Sequence, residues 1–201
     1  MTALTQRDLD LFKAEFPNDA KLQAVTLVEV LENSDGTADF SKWTREPAPA
    51  LLEGSVLSCG AAIGFVIYDC VSLFIGASAT RAGATTEEAE AIAKAAEPVL
   101  SKIEKVCADA AKEGASAYDK ACAVWEVIKT IYNGGCLGAV IGAFLSTLTW
   151  YNMILYGATA LATIVAALAT DGAAEIAEIA IQLATFGFLV SDSIAVGPAC
   201  S

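Results

Sequence analysis

Histidine is absent from this chain. That removes the commonest general base, the commonest metal ligand and the usual switch near neutral pH. No serine or cysteine has an imidazole to activate it, and no GxSxG or glycine-rich phosphate loop occurs. The chain does not read as an enzyme, and no catalytic residue, cofactor or metal ion is expected. Basic residues are scarce and confined. All twelve lie at or before Lys129, and the 72 residues from Thr130 to Ser201 contain none. That stretch holds four acids (Asp171, Glu175, Glu178 and Asp192), and the 41 residues between Lys129 and Asp171 carry no charge at all. A surface helix needs a polar stripe facing water. This third of the chain must therefore be buried almost all round, by lipid, by other subunits or by the rest of the fold. The N-terminus lacks a basic n-region and an apolar h-region. A cleavable secretory signal is not expected, so the chain is made in the cytoplasm and reaches any target membrane by another route. The six cysteines (Cys59, Cys70, Cys107, Cys122, Cys136 and Cys200) form no CxxC pair. A zinc site would need at least three of these distant thiols, and small buried apolar thiols are the plainer reading.

What remains is apolar and acidic. Of 201 residues, 55% are hydrophobic and 18% charged, with mean hydropathy +0.53, against roughly 45–50% and about 25% in a soluble domain. The composition sits between a soluble protein and a polytopic membrane protein. The net charge of -12 repels a phosphate backbone, so nucleic acid is excluded as a partner. It also repels anionic lipid until carboxylates protonate.

The periodicity is helical throughout. Residues 2–32 predict two short amphipathic helices, the first capped at Thr5-Gln-Arg-Asp8 and broken at Pro17. A polar connector with Trp43, Pro47 and Pro49 fills 33–53, which sets the division into 1–53 and a hydrophobic bundle, 54–201. Residues 54–80 form an apolar run whose only charge is Asp69. As a helix it would span about 40 Å, enough to cross a bilayer core of roughly 30 Å. Thr85-Thr-Glu-Glu88 is a capping box, opening a charged helix over 86–113 that Pro98 should kink. A second charged helix runs from Ser116 to Asn133 and ends at Gly134-Gly135. Residues 136–169 predict two uncharged helices with a bend at Ser146–Asn152, and 173–196 a last helix. The fold class is all-α: a compact bundle of about seven helices, amphipathic ones shielding nearly uncharged ones.

Small residues recur at spacing four. Gly60 and Gly64 form GxxxG; Gly134, Gly138 and Gly142 extend it; Ala158, Ala162 and Ala166 follow the same rule. Such faces let helix backbones approach closely, which serves assembly within a membrane or tight packing in an alanine-rich soluble bundle. A homo-oligomer is the expectation. Asp69 is a candidate protonation switch, since burial raises a carboxylate pKa. Trp125, Trp150, Tyr151 and Tyr156 fit either an interfacial aromatic belt or core packing. Cys107 is seven residues before Gly114, and Cys122 seven after Ala115. If those two residues centre an antiparallel turn, the cysteines lie level and can pair.

The layout over about 54–198 is similar to the pore-forming domains of colicins and other α-helical pore-forming toxins, where polar helices wrap a hydrophobic hairpin until a membrane releases it. The similarity is one of layout and carries over no residue. It implies a protein that folds soluble and inserts its uncharged helices on a trigger. Two alternatives stay open: a soluble helical protein that self-assembles or holds a lipophilic ligand, and a constitutive multispan membrane protein.

Overall fold

The computed structural model describes residues 4–34, 58–75, 85–110, 116–146, 148–170, 172, 174, 176–177 and 199–200. Among them there are nine α-helices and no strand: α1 Gln6–Glu15, α2 Ala20–Ala24, α3 Leu27–Asn33, α4 Cys59–Ile75, α5 Thr86–Ala95, α6 Leu100–Ala110, α7 Ala117–Asn133, α8 Leu137–Phe144 and α9 Trp150–Leu168.

Local chemistry sets most of these boundaries. Four helices open with a reciprocal capping box, in which the N-cap hydroxyl accepts the N3 amide and the N3 carboxylate accepts the N-cap amide. The pairs are Thr5/Asp8, Thr26/Glu29, Thr85/Glu88 and Ser116/Asp119. The expected second helix of the N-terminal region is two helices. Thr26-Leu-Val-Glu29 starts a new one, and Lys13 Nζ donates to the carbonyls of Gln23 and Val25 at 3.0 and 2.7 Å where the backbone turns. Pro98 replaces the expected kink with a full break: α5 ends at Ala95, Glu97–Val99 form a 3-10 turn, and α6 begins at Leu100. Helix α7 ends in a Schellman motif. Gly135 takes φ +68°, its amide donates to Tyr132, and the Cys136 amide reaches back to the Ile131 carbonyl. The motif turns α8 away from α7 by 112°.

Helix α4 is the axis of the bundle. It packs against α5, α6, α7 and α9, and every residue from Ala61 to Leu73 is buried. That is why the segment needs no polar stripe. Helix α9 is the second inner element, covered by α1, α3, α4 and α8. Helix α8 lies between α5, α9 and α1, with the Tyr68 and Phe144 rings 4.6 Å apart where it meets α4. Leu9, Phe12 and Val30 of the N-terminal helices share one continuous core with Ile67, Ile103, Ile128 and Ile164. Within the described residues α4 is thus buried by the rest of the fold, α9 is half-buried, and the charged helices lie on the outside. Residues 35–57, which take in nearly all of the expected 33–53 connector, together with Gly114, Ala115, Asp171, Asp192 and nearly all of the expected 173–196 helix, lie outside the described residues.

Candidate functional site

The small-residue faces are occupied within the chain. A Cβ placed on Gly64 would strike the backbone carbonyl of Ala89, so Gly60 and Gly64 form the seam between α4 and α5. Gly60 is looser: its Cβ would lie 3.9 Å from Ala93 Cβ. Gly138 and Gly142 face α1, where a Cβ would meet Glu15 and Phe16, and Gly134 abuts Val99. Of the two readings, assembly within a membrane or tight packing in a bundle, these contacts within one chain are what the second describes. Ala158 is buried, Ala162 half-buried and Ala166 exposed. Steps of four drift about 40° each against a 3.6-residue turn, so that stripe winds off the buried face.

Glu15 has a second role. Cys136 stands at the N-cap of α8 without a capping side chain. The carboxylate of Glu15 accepts from the Gly138 amide at 3.0 Å, so an acid 123 residues away fills the place of the cap. The aromatic residues are mostly interior. Trp125 and Tyr156 are buried, and the Trp125 ring fills the space a side chain at Gly172 would need. Trp150 is half-buried, with Lys21 Nζ 4.0 Å above its ring and Tyr151 edge-on at 5.0 Å.

Asp69 is buried in the middle of α4 at 7% exposure, and Ser72 Oγ donates to its main-chain carbonyl at 2.8 Å. It is the one charged side chain among the buried residues described on that helix.

The cysteines depart from expectation. Cys107 and Cys122 both carry free thiols. Cys107 is buried within electrostatic reach of Cys70 on α4, whereas Cys122 is half-exposed. The disulfide lies instead between Cys59, at the start of α4, and Cys200, with Cα atoms 4.6 Å apart and a sequence separation of 141. The two residues stand near the beginning and end of the hydrophobic block. Beside the disulfide stands Glu104 of α6. The Sγ atoms of Cys59 and Cys200 and a Glu104 carboxylate oxygen all lie within 4.8 Å of one another, and all three residues are half-buried. Burial, then the nearby Glu104 charge, pushes the Cys107 thiol up to about 12.

The architecture defines a helical bundle with an apolar axis, an acid at its centre and a covalent tie at one end. Comparison of the chain with protein-family models, with curated proteins and with solved structures finds no match.

Proposed function

We propose that this chain is a conditional membrane inserter of the pore-forming toxin or effector type, which stores its uncharged helices inside a charged sheath and releases them at a lipid surface. The observation that carries the reading is the contrast around α4. Thirteen consecutive residues, Ala61 to Leu73, are buried, while charge is concentrated on α5, α6 and α7, three of the four helices around them. Helix α9, at 19 residues, is long and apolar enough to cross a membrane and is half-buried; α7 and α8 pass the same test only as a bent pair. With no histidine and a net charge of -12, acid would act through carboxylates, weakening repulsion from anionic lipid. Asp69 is the candidate switch on the released helix.

The test uses the purified chain without detergent. Light scattering gives its size, and dye-loaded vesicles at about pH 7 and about pH 5 report leakage. A soluble monomer that releases dye more strongly in acid is expected. Release that does not change with pH sinks the acid trigger. A stable particle inert to lipid favours the self-assembling or ligand-holding alternative, and recovery only in detergent favours a constitutive multispan protein. Asp69→Asn should raise the pH midpoint of release, and an unchanged midpoint clears Asp69 of the role.

A further inference from the structure

We propose that, once the Cys59–Cys200 bond is reduced, the two cysteine thiolates and the Glu104 carboxylate form a binding site for a borderline divalent cation of the zinc class. The inference goes beyond the membrane reading and does not depend on it. Three separate segments converge here: the first residue of α4, the middle of α6, and residue 200. Their ligand atoms already lie within 4.8 Å of one another.

The donor set selects the metal. Two thiolates suit zinc or cobalt, whereas magnesium and calcium demand oxygen ligands in larger number. Three protein ligands with one position left to water is a known open zinc arrangement, and the Glu104 carboxylate takes the place of the third thiol that the sequence alone called for. A zinc–sulfur distance of about 2.3 Å in a tetrahedral site places the two sulfurs about 3.8 Å apart. Cα atoms 4.6 Å apart put that sulfur separation within reach of side-chain rotation. Half-burial leaves the group reachable by an ion while removing part of its hydration.

The chemistry balances. A phosphine reductant gives two electrons to the disulfide and leaves as the phosphine oxide, taking the oxygen of one water. The two protons of that water go to the sulfurs. In a reducing compartment a cellular dithiol does the same work and becomes a disulfide. Cation binding then displaces both thiol protons into solvent. The start of α4 and residue 200 are thereby tied covalently in oxidising surroundings and by a metal ion in reducing ones.

The full chain, reduced with a phosphine and freed of the reagent under nitrogen, is titrated with cobalt(II). A sulfur-to-cobalt charge-transfer band in the near ultraviolet is expected, saturating at one ion per chain, displaced by zinc, and absent from the oxidised protein. Glu104→Gln should weaken cobalt binding about tenfold or more, and the Cys59→Ser, Cys200→Ser double variant should abolish the band. If the double variant loses helix by circular dichroism, Glu104→Gln, which keeps both thiols, decides alone. The proposal is overturned by no band in the reduced chain, by a band that survives the double variant, or by unchanged affinity in Glu104→Gln. It also fails if reduction melts the helices and zinc does not restore them.

Discussion

At the scale of single residues, two glycines of one motif have opposite tolerances. Gly64 lies against the main chain of Ala89, which cannot move aside without shifting α5, whereas Gly60 has ordinary contact distance to spare. Gly64→Ala should therefore lower stability by about 1–3 kcal/mol through overpacking. Gly60→Ala should be neutral, or stabilise by up to about 1 kcal/mol, because a helical glycine gives way to a better helix former. Urea unfolding of both variants checks this, and equal effects would refute the seam. Gly138→Leu should likewise cost about 1–3 kcal/mol, by driving Glu15 off the α8 amide. Light scattering should show no change in the size of the folded protein; a lost oligomer would return the glycine face to assembly between copies. The spacing by four marked positions where a neighbour takes the room of a side chain, but only Gly64 meets another helix's backbone, and Gly134, Gly138 and Gly142 meet side chains. It held no information on which backbone approaches, because a face that packs on its own chain and one that packs on a copy obey the same sterics. Gly157 carries no such spacing, since no second glycine stands four residues away, yet Phe12 occupies the place of its side chain.

At the scale of elements, the chain's own capping chemistry was readable. Thr5, Thr85 and Ser116 begin their helices as the pattern requires, and Gly135 ends α7 with the positive φ that only a glycine adopts freely. The Thr26 box has the same T-x-x-E spelling and was hidden inside an apolar run that reads as one helix. The cap of α8 was not legible, since Glu15 reaches it through tertiary packing. These caps also carry a pH dependence. Hydrogen bonds from the Thr26 hydroxyl, then its amide, hold Glu29 below the usual 4.5, and the same contacts from Ser116 hold Asp119 below 3.8. A carboxylate depressed in the folded state stabilises above its unfolded pKa and loses that contribution as pH falls through the folded value. The starts of α3 and α7 should therefore loosen in acid below about those values. Carbon-detected NMR titration should place both carboxyls under 4.5 and 3.8. Ser116→Ala should return Asp119 to its ordinary range while leaving Glu29 alone; an Asp119 that does not move shows the box is not made in solution.

At the scale of the whole molecule, enclosure explains α4, which α5, α6, α7 and α9 surround, while α9 is covered by α1, α3, α4 and α8 on one side only. The all-α class followed from the 3.6-residue period, because such a period has no other solution. The Cys59–Cys200 tie did not, because nothing local links residues 141 apart. Closing a loop of that length removes conformational freedom from the unfolded chain, worth about 5 kcal/mol in the chain-entropy model. Reduction without added metal should lower the urea midpoint accordingly, and an unchanged midpoint would mean the tie is not made in solution.

The same bond has a topological consequence. From Cys59 to Cys200 the chain, closed by its sulfurs, is a ring, and α1, α2 and α3 hang outside it. A closed curve cuts any plane an even number of times. While the bond holds, the ring can pass through a bilayer in two strokes or in four, never in one or three, and it must enter as a bight rather than by an end. Cutting the ring removes that parity rule. If the chain inserts as proposed, an odd number of crossings is open to the reduced protein alone, which protease protection in vesicles would read.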